Sequence, residues 1–257
     1  PWVGAILQAD DAAFDAHTEQ WARPIPPLPV AWGEVTGSVE DLQGRFNLNT
    51  LVTSEGKPDE GRLARFRRLL RILELNPRLA DAVVDWLDKD RLPRGGLGAE
   101  ASYYMGQDPA YAPANRAMRE AGELRLVRGV TGEVWRALEP HVTALPEATD
   151  VNINTATPEV LAAAIPALGP PVQALSKART WASRTNVEPF TELTAFRQAL
   201  AGGEGEPGPE LSGVSVASDF FRAVIEARFD QVRYRLGTVY QRGEQGVTLV
   251  RQQREWL

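Results

Sequence analysis

Four carboxylate side chains lie close together in the stretch DWLDKDRLPRGGLGAE, which covers residues 85–100. Asp85, Asp88 and Asp90 surround a predicted helix end, and Glu100 returns after a glycine-rich loop. Hard cations such as Ca²⁺ bind several carboxylate and carbonyl oxygens, which a bendable loop can arrange around them. The residue types and their spacing therefore make this stretch a candidate calcium site.

The same stretch also permits an ordinary structural interpretation. Lys89, Arg91 and Arg94 alternate with the acids and would neutralise them in a solvated helix cap. The spacing is not that of an EF-hand, because counting from Asp88 places Pro93 where that loop requires glycine. Acidic loops are common, so the spacing alone favours the helix cap, and both interpretations stay open at this point.

No other group of residues in the sequence indicates catalysis. The chain has no cysteine, and its two histidines, His17 and His141, lie far apart. No nucleophile, zinc-protease or phosphate-loop motif is present, so we predict that the protein is not an enzyme. The 28 basic and 34 acidic residues give a net charge of −6, which argues against a dedicated nucleic-acid binder.

An alternation of asparagines opens the stretch DVNINTATPEVLAAAIPALG at residues 150–169, and RFNLNTL at residues 45–51 is a shorter echo of it. Asn152 and Asn154 point to one side of an extended segment, opposite two β-branched residues. Thr157 is a good N-cap for the helix that follows. Asparagine amides readily bond to neighbouring backbone. We therefore predict a structural corner built by Asn152, Asn154 and Thr157.

The same stretch resembles the first helix of helix-hairpin-helix DNA-binding modules, which makes such a module the alternative function. In this sequence Ala167 replaces the first glycine of the hairpin, which weakens a backbone cradle for phosphate. Residues 150–200 also balance four acids with four bases, whereas phosphate binding usually needs excess cations. These departures favour the structural corner, and we expect no nucleic-acid partner.

Hydrophobic periodicity predicts helices and strands in a particular order. Residues 1–22 are predicted to form an amphipathic helix, and residues 30–40 are β-like. Period two returns in FFRAVIEARF and in the two segments after it, which predicts an antiparallel meander. The glycine-, glutamate- and proline-rich stretch 202–210 is predicted to be a loop. Helical patterns between these parts occupy residues 59–75, 77–89, 115–124, 130–140, 158–165, 171–184 and 189–201.

Four segments, in order, resemble the K-type minor pseudopilin family of the bacterial type II secretion system. They are GEVTGSVEDLQGRFNLNTL at 33–51, DWLDKDRLPRGGLGAEASYY at 85–104, LRLVRGVTGEVWRALEPHVTALP at 124–146 and VNINTATPEVLAAAIPAL at 151–168. The resemblance covers most of the chain and agrees with the β–α–β order predicted from periodicity.

The resemblance implies an α+β pseudopilin fold, in which an N-terminal helix packs on a small antiparallel sheet and a large all-α domain is inserted between strands. Residues 1–48 would hold the N-terminal helix and first strands, residues 49–210 the inserted α-helical domain, and residues 211–257 the C-terminal antiparallel strands that complete the sheet.

The resemblance also implies a non-enzymatic structural subunit. Family members join I-type and J-type minor pseudopilins in a heterotrimer at the pseudopilus tip, where they initiate or cap the pseudopilus for protein export and are expected to meet secreted substrates. Full-length members are anchored in the inner membrane of Gram-negative bacteria by an N-terminal helix. We therefore expect this chain to be the periplasmic domain of a longer protein.

Calcium in the α-helical domain is a further implication of the resemblance, with Asp85, Asp88, Asp90 and Glu100 as the ligands. Many relatives carry an aspartate directly after the matching glutamate, whereas this chain has Ala101 there and lacks that ligand.

The N-terminal helix is expected to serve both the fold and the assembly. Trp2, Ile6, Phe14 and Trp21 would divide between packing on the chain's own sheet and contact with partner helices. Aromatic residues are good interface anchors, because they bury much area at a low entropy cost.

Overall fold

The computed structural model describes residues 2–202, 208–230 and 232–255. Residues 203–207, in the middle of the predicted loop, lie outside this description. The architecture is α+β, with an N-terminal helix packed against an antiparallel sheet. No helix among the described residues is both long enough and apolar enough to cross a membrane.

The described strands form one large sheet and two small ones. They are β1 (Ile25–Val30), β2 (Gly33–Asp41), β3 (Phe46–Asn47), β4 (Val142–Thr143), β5 (Val151–Asn152), β6 (Val214–Ser215), β7 (Phe220–Phe229), β8 (Val232–Gly243) and β9 (Gly246–Glu255). The large sheet is antiparallel and has the order β1-β2-β7-β8-β9. The strands β3 and β4 form one short parallel pair, and β5 and β6 form the other.

The described helices lie mostly between β2 and β7. They are α1 (Trp2–Ala9), α2 (Glu60–Ile72), α3 (Leu79–Leu87), α4 (Ala101–Tyr104), α5 (Gly132–Leu138), α6 (Pro158–Ala164), α7 (Pro171–Thr185) and α8 (Leu193–Ala201). Short 3-10 helices cover Leu48–Leu51, Ala121–Leu126, Glu139–His141 and Pro166–Leu168. Since β2 pairs directly with β7 along its whole length, this helical segment leaves the sheet and returns to the adjacent position.

The predicted helix at residues 115–124 is wrong, and only a 3-10 helix from Ala121 to Leu126 is found there. The side chain of Asn49 explains the difference. Its Oδ1 accepts a hydrogen bond from the Met118 backbone N–H at 2.8 Å, and its Nδ2 donates to the Met118 carbonyl at 2.9 Å. Both backbone groups of Met118 are therefore committed outside any helix.

The predicted N-terminal helix is shorter than expected, because α1 ends at Ala9 rather than near residue 22. The carboxylates of Asp10 and Asp15 both bind the guanidinium of Arg242, at 3.2 and 2.5 Å. In a continuous helix these two side chains would point roughly 140° apart, since 3.6 residues make one turn. The ion pairs therefore require the chain to leave the helix after α1.

The strand predicted from FFRAVIEARF is found as β7, but its alternation holds only in part, because Val224 on the predicted wet face is buried and Phe229 on the predicted apolar face is exposed. Phe221 and Ala223 are buried with Val39 beneath α1, in one hydrophobic cluster. Arg222 points to the opposite face, where its guanidinium lies 3.7 Å from the Glu40 carboxylate. The helical segment has a separate and larger cluster of buried side chains, which is built mainly by α2, α3 and α6.

The asparagines of β5 and the turn after it are buried, and their partners are remote. The side-chain nitrogen of Asn152 lies 3.0 Å from the Asp15 carbonyl, 3.0 Å from Asp41 Oδ2 and 2.9 Å from Ser218 Oγ. Its Oδ1 accepts a hydrogen bond from the Asn154 N–H at 3.0 Å. The bond to the Asn154 N–H is of the local kind that was predicted, whereas the amide nitrogen also joins the helical segment to both ends of its connection with the sheet.

Asn154 bonds to backbone, as predicted, although its partners too are distant in sequence. Its side chain exchanges two hydrogen bonds with the backbone of Phe190, at 2.9 and 3.0 Å, and reaches the Val216 carbonyl at 3.4 Å. Thr157 caps α6, because its hydroxyl accepts a hydrogen bond from the Val160 N–H. Asn154 therefore ties the turn after β5 to the segments around Phe190 and Val216, and Thr157 fixes the start of α6.

We predict that Asn152→Asp destabilises the protein by at least about 3 kcal/mol, because it places a second buried carboxylate against Asp41 and removes a donor. Urea denaturation at neutral pH measures this loss. Asn76→Asp is the matched control: Asn76 is exposed, and its Oδ1 accepts from the Arg78 N–H, a bond that aspartate preserves. The control should change the unfolding free energy by less than about 0.5 kcal/mol. Equal effects of the two substitutions would contradict the assigned role of Asn152.

Candidate metal centre

The four predicted carboxylates lie at the two ends of the loop that joins α3 to α4. The helix α3 is buried along its whole length; Asp85 lies in its last turn and Asp88 follows it directly. Asp90 begins the loop, and Glu100 ends it immediately before α4. A Cβ at Gly98 would lie only 2.5 Å from Asp85 Oδ2, so the loop requires glycine to return this closely.

Three of these residues bring their oxygens together. Asp88, Asp90 and Glu100 each offer one carboxylate oxygen, and these atoms all lie within 4.8 Å of one another. Asp88 Oδ1 and both oxygens of Glu100 are buried without a hydrogen-bond partner among the described residues. Asp85 lies beside this group, and its carboxylate accepts from the Arg94 backbone N–H at 3.0 and 3.2 Å. Asp85 therefore holds the loop, and the other three face one another.

Burial and mutual repulsion both act on the protonation of this cluster. Burial raises the pKa of Asp85 and of Asp88 to about 6, and that of Glu100 to about 7. Repulsion from the neighbouring carboxylates contributes to these raised pKa values of Asp88 and Glu100. At neutral pH the folded chain therefore holds buried negative charge without a salt bridge among the described residues, which costs free energy unless a proton or a cation is bound.

The basic residues of the loop neutralise the cluster only in part, because the charge of Arg94 lowers the pKa of Asp88 against the larger effect of burial. The Arg94 guanidinium pairs with Glu60 of α2, and Lys89 lies beside Gly56 in a neighbouring cleft. Within the described part of the chain, no salt bridge joins Lys89, Arg91 or Arg94 to the clustered acids. The salt-bridged helix cap favoured by spacing alone is therefore not the arrangement that the structure has.

The donor set of the cluster determines which metal it suits. Every available ligand is a carboxylate oxygen, without histidine or cysteine, and such oxygen-only sets suit hard divalent cations rather than zinc or copper. The unpartnered oxygens of Asp88 and Glu100 point to a missing positive charge. This acidic cluster is thus a group that could bind a metal ion.

A second acidic group was missed by the sequence analysis. Asp10, Asp15 and Glu19 also lie within 4.8 Å of one another, but the Arg242 guanidinium binds the first two. The Glu19 carboxylate accepts hydrogen bonds from the Trp21 indole N–H and from backbone. Burial raises the pKa of Asp15 to about 7 even beside Arg242. Because the chain supplies its own cation here, we interpret this group as structural.

The two histidines do not meet. His17 Nδ1 lies 3.0 Å from the Asn186 side-chain oxygen, and His141 Nδ1 lies 2.9 Å from the Thr157 hydroxyl. Burial lowers the pKa of His141, which favours its neutral form. Each histidine therefore has a hydrogen-bonding role in its own surroundings.

Comparisons with known proteins agree with the motifs found in the sequence. A sequence profile described as Type II secretion system (T2SS), protein K matches residues 44–147. Type II secretion system protein K of Pseudomonas aeruginosa is 36% identical over 236 residues, which cover 89% of this chain and 67% of that protein. The protein of the same name from Aeromonas hydrophila is 35% identical over 245 residues, which cover 88% of this chain and 72% of that protein.

The chain belongs to the type II secretion system protein K family. The resemblance seen in the sequence is therefore confirmed, and with it the place of the chain in a structural, non-enzymatic family of minor pseudopilins. Its fold is also similar to that of a chain in the crystal structure of the GspK–GspI–GspJ complex from the enterotoxigenic Escherichia coli type 2 secretion system. The TM-score is 0.74 at 20% sequence identity, and the match covers 99% of this chain and 91% of that chain.

In this protein K family member, the four residues predicted for a partner interface have different surroundings. Trp2 is 54% exposed at the start of α1, whereas Trp21 is 1% exposed and packs edge-on against Phe221. Ile6 is half-buried on α1 and borders the sheet cluster. Phe14 is half-buried against the helical core. Their roles in assembly stay a prediction, but only Trp2 and Ile6 lie on α1 itself.

We predict that the acidic cluster makes metal-free protein less stable as pH rises from about 4 to about 7. Its folded-state pKa values of about 6 to 7 exceed the ordinary values of 3.8 and 4.5, so the folded state holds more protons in this window. Stability falls with pH wherever the folded state binds more protons than the unfolded state. Chemical denaturation in the presence of a chelator, repeated across this pH range, measures the slope.

The variant Asp88→Asn/Glu100→Gln is the control for this slope. The buried Asp15 and Asp41 also have raised pKa values, but they titrate equally in both proteins and cancel in the comparison. Wild type should therefore lose more stability than the variant as pH rises. Equal dependence of the unfolding free energy on pH in the two proteins would show that the cluster does not destabilise the folded state as predicted.

Proposed function

We propose that this chain is the tip subunit of a type II secretion pseudopilus and that it forms a heterotrimer with I-type and J-type minor pseudopilins. The observation that carries the proposal is the family membership, together with the similarity of its fold to a chain of the GspK–GspI–GspJ complex. In this role the chain initiates or caps the pseudopilus for protein export. Its contacts with secreted proteins belong to the same proposal.

We also propose that the helical segment is a domain inserted into a pseudopilin-like unit. The direct pairing of β2 with β7 and the separate hydrophobic core of the helical segment support this division. Phe46, Leu48 and Val214 contribute to the helical core, so we place the boundaries at the end of β2 and the start of β7. These positions lie a few residues outside the predicted limits of 49 and 210.

The exposed side of α1 is the partner surface that we propose. Trp2, Ala5, Ile6 and Ala9 line a shallow groove of about 220 Å³ on this side. Small residues flanked by an exposed tryptophan suit close packing of another helix, and tryptophan is prominent among interface anchors. In this assignment Phe14 and Trp21 serve the intramolecular core.

Calcium is the cofactor that we propose for the acidic cluster. Asp88, Asp90 and Glu100 would hold the ion through carboxylate oxygens, and Asp85 would fix the loop through its bonds to the Arg94 N–H. The bound ion would supply the positive charge that the described residues do not, and it would clamp both ends of the α3–α4 loop together. The clamp is structural and involves no reaction.

The periplasm is the location that we propose, with an inner-membrane anchor upstream of this chain. The basis is family membership alone: the matches cover 67% and 72% of the Pseudomonas and Aeromonas relatives, which therefore contain further sequence.

Mixing the chain with the soluble domains of the I-type and J-type minor pseudopilins from the same genome tests the proposed function. Size-exclusion chromatography with light scattering should give a stable peak that contains one copy of each protein. A short duplex DNA, run in parallel, should not shift with the chain. Absence of a complex with either pseudopilin, together with salt-sensitive DNA binding, would favour the helix-hairpin-helix alternative.

Trp2→Ala tests the proposed surface and should weaken association by about tenfold or more, as expected for truncation of an aromatic anchor. Trp32→Ala is the matched control, because Trp32 is an even more exposed tryptophan in the β1–β2 turn. Both variants should keep the thermal stability of the wild type. A larger effect of Trp32→Ala than of Trp2→Ala would move the interface away from α1.

We predict that Ca²⁺ stabilises the protein by about 2.7 kcal/mol when its concentration is a hundred times the Kd. Thermal denaturation with added Ca²⁺ or with chelator measures the shift, and calorimetric titration gives the stoichiometry. Asp88→Asn/Glu100→Gln should abolish the shift. Asp108→Asn/Glu133→Gln removes the same charge from exposed positions elsewhere and should retain it. A shift that survives the first double substitution would place the ion at another site.

A further inference from the structure

A basic groove lies on the helical segment, away from the acidic cluster and from α1. Arg65, Arg68 and Arg71 are spaced three residues apart on α2 and therefore lie along one side of the helix. They line a groove of about 490 Å³ together with Pro166 and Pro171 from the turn between α6 and α7. This volume is within the range of ligand-binding clefts.

Two of the arginines are fixed in place by the fold. Arg68 Nε donates to the Ala162 carbonyl at 2.8 Å, and a second nitrogen of its guanidinium bonds to the Gly169 carbonyl. Arg65 donates to the Ser212 hydroxyl at 2.6 Å. The contacts of Arg68 tie α2 to α6 and to the turn after it, and the contact of Arg65 ties α2 to the segment before β6, so both guanidinium groups have defined positions.

The charge of the groove is not balanced by its lining. Burial lowers the pKa of Arg68, and the neighbouring cation of Arg71 lowers it further. Arg71 is exposed, and no hydrogen bond or ion pair of its side chain is found within the described residues. The other lining residues are Gly61, Ala64 and the two prolines, none of which is acidic. An anion entering the groove would meet a pre-positioned row of cations at its edge.

We propose that this groove binds an extended acidic segment of a partner protein. Carboxylates of the segment would pair with Arg71 and Arg65, and an apolar side chain between them would pack on Ala64, Pro166 and Pro171. Charge complementarity supports the occupant, because guanidinium groups bind carboxylates with good geometry. The proposal does not depend on the tip assembly, which uses α1.

Nucleic acid fits the groove less well than an acidic polypeptide. No aromatic side chain among the described residues lines the groove, whereas single-stranded nucleic acids are usually held by stacking on aromatic residues. Three arginines are also few for a phosphate backbone on a chain of net charge −6. The small apolar residues between the arginines are instead suited to contact with aliphatic side chains of a polypeptide.

Fluorescence anisotropy with a short labelled peptide that alternates glutamate with leucine tests the proposal on the intact chain. We expect binding that weakens with added salt, since screening acts on exposed charges. Arg71→Glu should weaken binding by about tenfold or more, because it converts attraction into repulsion. Arg71 has no partner to lose, so this variant should fold normally. Ala64→Trp, which fills the groove without changing charge, should also weaken binding.

The controls separate the groove from general electrostatics. Arg125→Glu makes the same charge change at an exposed position outside the groove and should alter affinity by less than about twofold. A peptide with glutamine in place of glutamate should not bind. The proposal is overturned by undetectable binding of the acidic peptide, by equal effects of Arg71→Glu and Arg125→Glu, or by tighter, Arg71-dependent binding of a single-stranded oligothymidylate.

Discussion

The buried carboxylate of Asp41 is the constraint on which the path of the chain depends. It lies at the end of β2, where the chain leaves the large sheet, and it accepts hydrogen bonds from Asn152, Thr155 and Ser218. Burial raises its pKa, so the carboxylate can stay charged in the folded protein only while those donors surround it. Because Ser218 lies just before β7, one network fixes both where the chain leaves the sheet and where it returns.

The two acidic groups described above both bury carboxylates, but they differ in how the negative charge is compensated. Asp10 and Asp15 are paired with Arg242, so their charge is compensated within the chain and the result is a structural tie between the end of α1 and β8. Asp88 and Glu100 are also buried, but they hold carboxylate oxygens without a hydrogen-bond partner and have no salt bridge among the described residues. A buried charge without a partner costs free energy. The group of Asp88 and Glu100 is therefore suited to bind a cation, whereas the group of Asp10 and Asp15 stabilises the fold.

Local patterns in the sequence predicted those features that local forces determine. The alternation in FFRAVIEARF located β7, and the acidic cluster was visible because its members flank one loop. The end of α1 was not predictable, because it is set by ion pairs to Arg242, far away in sequence. The same reason applies to Asn152. Its role in a corner was predicted from the local pattern, but its bonds to Asp15, Asp41 and Ser218 join residues that are far away in sequence. Arg65, Arg68 and Arg71 lie three residues apart in the sequence, but Pro166 and Pro171 form a groove with them only in three dimensions.

The separation of the two hydrophobic cores bears on how a bound cation would act in the proposed assembly. The α3–α4 loop belongs to the helical core, whereas α1 packs with Val39 and Phe221 in the sheet core. A cation in the loop would therefore change the stability of the helical segment directly, whereas α1 packs in the other core. Under the proposed function, calcium would stabilise the inserted helical segment against unfolding, and the exposed side of α1 would determine which partners bind.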